Sequence, residues 1–312
     1  MLRLRKDERM LPAPEIVGIG VCTVDHLVTV ARLPRRNENM QAVNYDRQPG
    51  GLAAIALMAA ARLGARCKLI ARIGDDEPGA YIRGVLEAEG VDASQLLVDP
   101  GSESHVSVIL VHEASGDRSI IARPPTGSPI ASSEIQRADI TCARVLFVDT
   151  LTETTLRAAR WAREAGLKVL LDPALPYAEI KPLLPYVDVP IVPEYWAREM
   201  MPDQPPAAVA ERLHREGAAI AIVTLGERGA VAAWEAGVEA FPAYDVDVVD
   251  TTGAGDAYHG AFLYGLLQDW EAPRMARFAS AVGSLNCRAV GGRTALPTRD
   301  EVDRFMAGAA TL

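Results

Sequence analysis

The sequence is short of the features that mark several protein classes. It has four cysteines in 312 residues, Cys22, Cys67, Cys142 and Cys287. They are scattered and form no C-x-x-C pair, so neither a zinc site nor a disulfide framework is indicated. Reduced thiols in a cytoplasmic protein are the simple expectation. Basic charge is not in excess: the formal net charge is −9, the opposite of a nucleic-acid footprint. No apolar run is long and uninterrupted enough to span a bilayer. The first ten residues, MLRLRKDERM, lack the apolar core of a signal peptide, and residues 1–14 are expected to be a loosely ordered tail. The five histidines show no metal-ligand spacing. No internal repeat or low-complexity segment occurs. Gly18-Ile19-Gly20 would open a G-x-G-x-x-G fingerprint, but Thr23 stands where the third glycine belongs. That argues against a dinucleotide-dependent oxidoreductase.

What is present is an ordinary globular composition, 49% hydrophobic and 23% charged, sufficient for one large core over residues 15–312. Ile16–Val21 reads as a buried strand, with Asp25 near the end of it. A helix of small apolar residues, Leu52 to Leu63, follows Pro49-Gly50-Gly51 and is apolar on nearly every face, as a buried helix is. Its glycine-rich start is expected to aim backbone donors at a ligand. From Arg144 onward strands and helices alternate: strands at 145–148, 168–171, 189–192 and 219–224, helices at 155–165 and 207–216. Such alternation predicts an α/β fold, a mainly parallel sheet covered by helices on both faces. Short strands at about 26–47 and 104–124, the second set a hairpin around Ser115-Gly116-Asp117, fall outside that pattern. They are expected to form a small β lid over a cleft.

The most informative stretch runs from Asp247 to Tyr264. It is expected to begin as a short strand, to break at Thr251-Thr252-Gly253-Ala254-Gly255, and to continue as an apolar helix. Small residues before a helix leave its first N–H groups accessible, and with the helix dipole they suit a phosphate. Asp256, at the turn into the helix, reads either as an N-cap or as a carboxylate that accepts a proton from an attacking hydroxyl. Tyr258, Phe262 and Trp161 are read as packing, and the arginines of 157–163 as a solvated helix face.

Asp250-Thr251-Thr252-Gly253-Ala254-Gly255-Asp256 resembles the D-T-x-G-A-G-D signature of the ribokinase-like (PfkB family) carbohydrate kinases. The resemblance extends over nearly the whole chain, through Gly50-Gly51 with Arg62-Leu63-Gly64, Ile73-Gly74-Asp75-Asp76, Val223 to Gly229, and Gly291-Gly292-Arg293 with Pro297. Within the family, Val246–Gly260, Arg277-Phe278-Ala279-Ser280 and Gly291–Arg293 are most similar to sulfofructose kinases. Asn39, Ala122 and Leu151 stand where a sulfonate would need basic or amide groups, so that substrate does not follow. The resemblance implies an ATP- and Mg²⁺-dependent kinase of a sugar hydroxyl, with K⁺ as a further ion. Asp256 would be the base and Gly253, Ala254 and Gly255 the anion hole. Asp25, Gly50, Gly51 and Asp149 would meet the acceptor, and Thr224, Gly226, Gly229 and Gly292 the ATP. Asp250 and Thr252 match a monovalent-cation site, and family lids often pair two subunits into a homodimer.

Two departures matter. Ile55 replaces a sugar-binding asparagine and is expected to make that pocket wall apolar. The N-x-x-E motif tied to magnesium is degraded at Pro193-Glu194-Tyr195-Trp196, so no magnesium ligand is named. Arg47 and Arg123 could reach the cleft and recognise an anionic acceptor. The rival readings are a nucleoside kinase of the same fold and a non-catalytic ligand-binding relative.

Overall fold

The computed structural model describes residues 13–309. Of the tail expected over 1–14, residues 1–12 lie outside the described residues. In chain order the first part runs β1 (Ile16–Ile19), β2 (Thr23–Val30), β3 (Asn44–Gly50), α1 (Leu52–Arg62), β4 (Cys67–Gly74), α2 (Glu77–Ala88), β5 (Val91–Asp99), β6 (Val106–His112), β7 (Arg118–Arg123), α3 (Arg137–Thr141) and β8 (Val145–Val148). It continues through α4 (Glu153–Glu164), β9 (Lys168–Leu171), α5 (Tyr177–Ile180), β10 (Val189–Pro193), α6 (Glu194–Met200), α7 (Pro206–Arg215), β11 (Ile220–Thr224), β12 (Ala230–Trp234), β13 (Gly237–Phe241), α8 (Ala254–Leu267), α9 (Ala272–Asn286) and α10 (Arg299–Ala309). Among the described residues no helix is long and apolar enough to cross a membrane.

Nine strands form the main sheet in the order β13-β12-β11-β10-β9-β8-β1-β4-β5. It is parallel from β11 to β5, with β12 and β13 added antiparallel at one edge. Both faces are covered, which is why these strands read as continuous apolar runs. In β8, Val145 and Phe147 pack into the cluster that holds α1, α8 and α9, while Leu146 and Val148 pack into the one that holds α4, α6 and α7. The all-round apolarity of α1 follows from its position against both the sheet and α8. A side chain at Gly260 of α8 would run into the Ala56 carbonyl of α1, so glycine and alanine permit the close approach.

A second sheet, β3-β2-β6-β7, is the expected lid. One face carries Asp25, Leu27, Gln48, Ser107 and Ile109, and its Leu27, Ile109 and Val111 pack together with Val290 of the body. The other face carries His26, Arg47, Val108 and Ile121, following the two-residue period of a strand.

Several expectations need correction. Asp25 lies inside lid strand β2 and not at the end of β1. Its neighbour β3 begins at Asn44 and runs to Gly50, later than expected. Strands β5, β12 and β13 were not anticipated. Residues 247–250 form no strand: the N–H groups of Val249 and Asp250 donate to the Cys287 carbonyl at 2.8 and 3.2 Å, beyond the end of α9, and not to a ladder.

The topology also places a crevice. After β1 the chain builds outward to β4 and β5 on one side and to β8 and onward on the other. Ligands of open α/β sheets sit beyond the carboxyl ends of the strands at such a switch point.

Candidate active site

Asp149 follows β8 at that switch point. One carboxylate oxygen accepts the Val21 N–H at 2.7 Å, just beyond β1, and the other, Oδ1, has no hydrogen-bond partner among the described residues. The Ala54 N–H donates to the Val21 carbonyl at 3.3 Å. Of the first donors of α1, that of Ala54 is thus used internally. Asp149 is fully buried, and burial pushes its carboxyl up to about 7. Gly51, at φ 96°, is needed here, since a side chain would meet the Val21 carbonyl at 2.5 Å.

The first turn of α8 is built differently. Its N-cap is Gly253, at φ 72°, with no side-chain cap. Asp256 is the third helical residue, so the capping reading of Asp256 is set aside. Ahead of the helix, the buried Asp250 acts as a staple. One of its oxygens accepts the N–H and hydroxyl of Thr252 at 2.9 and 2.8 Å, and the other accepts the Gly291 N–H at 2.8 Å. This seats the Gly291-Gly292 segment against the turn so closely that a side chain on Gly253 would strike the Cα of Gly292. Among the described residues, the N–H groups of Gly255 and Asp256 have no acceptor. They form an unpaired donor pair at the positive end of α8.

The lid supplies the facing wall. Asp25 is buried; Thr23 donates its hydroxyl to Asp25 at 3.1 Å, and Gly50 lacks the side chain that would overlap the carboxylate. Burial pushes the Asp25 carboxyl up to about 6. Gln48, on the same lid face, ties the lid base to the body by donating to the Val290 carbonyl at 2.9 Å and to Thr294 at 2.7 Å. At the lid tip, Arg118 donates to the Thr251 hydroxyl at 2.9 Å, and that hydroxyl donates to the Gly116 carbonyl at 3.3 Å. The lid is closed on the loop that leads into α8.

Arg47 and Arg123 are not brought to this site. Both project from the opposite face of their strands from Asp25. Arg47 pairs with Glu77 at 2.8 Å and stacks over Tyr81, and Arg123 pairs with Glu103. Ile55 is 1% exposed and packs against Gly292, on the segment that Asp250 seats against the turn.

Three functional candidates were missed. Arg118 lies on the cleft face of β7, a parity that shows only once its register with β6 is known. Asp172 follows β9 on the same carboxyl edge as Asp149, and the strand-end logic applied to Asp149 reaches it too. His259 stands one helical turn after Asp256, beside Asp172. Burial raises the Asp256 carboxyl above the ordinary carboxylate range, and Asp172 raises it further. His259 and Arg118 act the other way, and Asp25 adds a small upward push. Burial likewise raises Asp172.

On the remaining side, Thr224 ends β11, and Gly226, at φ 62°, has open space before it. Gly229 has a structural reason, since a side chain would collide with the Phe241 carbonyl. Glu194, in the degraded motif, is held by Arg198 at 2.9 Å and Arg228 at 2.6 Å.

A family model described as pfkB family carbohydrate kinase matches residues 13–299. A ribokinase of Haemophilus influenzae is 27% identical, over 92% of this chain and 97% of its own length. An aminoimidazole riboside kinase of Salmonella typhimurium is 30% identical, over 84% of this chain and 89% of its own. The solved ribokinase of Arabidopsis thaliana, complexed with ribose and ATP, shares the fold, with a TM-score of 0.80 at 22% identity, covering 94% of this chain and 99% of that one.

The tip contacts make a direct prediction. Thr251→Val keeps shape but removes both lid bonds, each worth about 1 kcal/mol. Amide exchange across residues 112–118 should quicken about thirtyfold. Unchanged exchange would mean that these bonds do not hold the lid.

Proposed function

The chain belongs to the pfkB family of carbohydrate kinases, and we propose that Asp256 is the base of its reaction. It is an ATP-dependent kinase of a sugar or nucleoside hydroxyl. The observation that carries the role of Asp256 is its place in the first turn of α8, free of any capping duty and beside the unpaired N–H groups. An acceptor hydroxyl gives its proton to Asp256 as its oxygen attacks the terminal phosphoryl group of ATP, whose bond to the bridging oxygen breaks and releases ADP. Negative charge then spreads over the phosphoryl oxygens, where the turn Gly253-Ala254-Gly255 presents the unpaired N–H groups of Gly255 and Asp256, the Ala254 N–H being used by the Thr251 carbonyl at 3.3 Å, and these donors and the helix dipole stabilise it without reorganising. Asp25, with Gly50 keeping its carboxylate clear, orients the acceptor hydroxyls. Asp149 holds the connection after β1, through the Val21 N–H, that shapes the crevice. Thr224, Gly226 and the Gly292 segment flank the nucleotide side. Magnesium, when bound, neutralises phosphate charge. Among the described residues no three His, Cys, Asp or Glu side chains converge on a metal site, which fits an ion held chiefly through the nucleotide.

Of the three lid arginines considered, Arg118 has the right face for an anionic acceptor. The four free thiols fit a reducing, cytoplasmic setting. The outer lid face exposes Tyr45, Val108 and Ile121, an apolar strip suited to a second copy of the chain. Asp250 and Thr252 are further read as the surroundings of a monovalent cation. In support, the buried Asn286 carboxamide donates to the Thr252 carbonyl at 3.1 Å while its own oxygen has no partner.

Four outcomes are expected. Asp256→Asn should lower turnover about 10²–10⁴-fold with little change in ATP affinity; near-normal turnover would remove the base assignment. On a panel of ribose, fructose, sugar acids, sulfonated sugars and nucleosides, an anionic sugar should outrank ribose. Arg118→Ala should erase that preference while Arg47→Ala and Arg123→Ala leave it intact; a best rate with ribose would end the anionic reading. Potassium should activate over tetramethylammonium at constant ionic strength, and equal rates would discard the cation site. For the lid strip, light scattering should give twice 33.4 kDa, and Ile121→Asp should halve it; a monomer in the wild type would contradict the pairing.

A further inference from the structure

His259 lies beneath the catalytic turn, 4% exposed, and the kinase reading leaves it without a role. Both of its ring nitrogens face backbone carbonyls. Nδ1 is 2.6 Å from the Gly255 oxygen, and Nε2 is 3.1 Å from the Ile191 oxygen in β10. A carbonyl only accepts, and a neutral imidazole carries a single N–H. In either neutral tautomer one bare nitrogen lone pair would point at a carbonyl lone pair, in a place that water does not reach. Only the doubly protonated ring satisfies both contacts. An Asp172 carboxylate oxygen lies 3.5 Å from Nδ1, as the counter-charge such a ring requires.

We propose that His259 is a buried imidazolium, a fixed positive charge set between Asp172 and Asp256 that lets both carboxylates be ionised together and so keeps Asp256 able to accept a proton. Two buried like charges at this range would otherwise leave one carboxyl protonated. His259 is a positioning residue. It acts through Asp256, and its bond to the Gly255 carbonyl fixes the peptide whose N–H, that of Asp256, faces the cleft. Burial, the largest influence, lowers the ring below its ordinary range, and the two carbonyls and Asp256 oppose that lowering. Against burial stands the geometry: two carbonyl acceptors require two N–H donors.

The surroundings agree with that choice. Asp172 at the end of β9 and Asp256 on α8 are the acidic groups nearest the ring. Asp149 after β8 adds to the negative field at Asp172 and Asp256, and Asp25 on β2 adds to it at Asp256. The Tyr195 phenol of α6 is pushed up by burial and, next, by Asp172. Phe147 of β8 meets the ring edge-on at 6.3 Å. The buried residues of α1 and α9, which pack on α8, carry no charge. The other cation acting on Asp256, Arg118, belongs to the lid and is absent from this environment whenever the lid opens. His259 does not move with the lid.

The ring's protonation can be read without turnover; only its effect on rate rests on Asp256 as the base. In ligand-free enzyme labelled with ¹⁵N-histidine at pH 8, two-bond correlations should show both His259 nitrogens protonated, the signals being assigned by their loss in His259→Gln. One protonated and one bare nitrogen would overturn the proposal, whatever Asp256→Asn does to activity. His259→Gln should move the acid limb of kcat/KM up by about one pH unit, roughly tenfold in rate on the acid side, with little change at high pH. A protonated ring with an unmoved limb would show that the charge does not reach Asp256. If His259→Gln fails to fold, Asp172→Asn serves both for assignment and for test. With its counter-charge gone, the ring should lose its second proton at lower pH than in the wild type, and an unaltered titration would overturn the pairing.

Discussion

The arrangement depends on one electrostatic constraint: acidic side chains are collected along the carboxyl edge of the sheet and sheltered from water there. Asp149, Asp172 and Asp256 each sit at a strand end or in the facing helical turn, and burial makes each of their charges unfavourable. Such groups persist only where specific donors and cations compensate. Asp149 takes the Val21 N–H at the switch point. Asp172 and Asp256 share His259 between them, and Asp256 gains Arg118 when the lid is closed. The cost is concentrated where a carboxylate with a raised pKa is chemically useful.

The rest of the fold positions that edge. Alanines and glycines let α1 and α8 approach closely, which brings the start of α8 over the ends of β9 and β10. Asp250 then locks the Thr251–Gly253 turn to the Gly291-Gly292 segment. The lid carries Asp25 to the opposite wall and closes through two bonds from its tip. Those two bonds are weak beside the buried network, as a part that must open to admit an acceptor requires.

Much of this was legible in the chain. Alternating apolar runs and helical stretches gave away the α/β body, and the misfit of the hairpin around Gly116 gave away the lid. Asp256 and its glycines stood out because no bland packing role explains them together. Other features were hidden by a physical cause. Strands β12 and β13 follow an expected ligand turn closely and carry alanines and glycines with little strand preference. Asp25 was placed on the wrong element because three residues separate β1 from β2, too few to mark a boundary. Arg47 and Arg123 were favoured over Arg118 because which face a strand residue takes depends on register, and register is set by tertiary pairing. His259 passed unnoticed because its partners are backbone carbonyls far apart in sequence, which leave no motif.

The pH dependence of kcat/KM in the wild-type enzyme, with the acceptor that a turnover screen identifies, tests the central claim most directly. Burial and Asp172 raise the Asp256 carboxyl above the ordinary carboxylate range. A carboxyl raised in this way stays protonated, and cannot act as a base, at pH values where an ordinary carboxylate is already ionised. An acid limb above the ordinary carboxylate range is therefore expected, with activity falling about tenfold for each unit below it. Activity that stays level down to pH 5 would contradict it, because the proton would then be accepted by an ordinary exposed carboxylate or by no carboxylate at all.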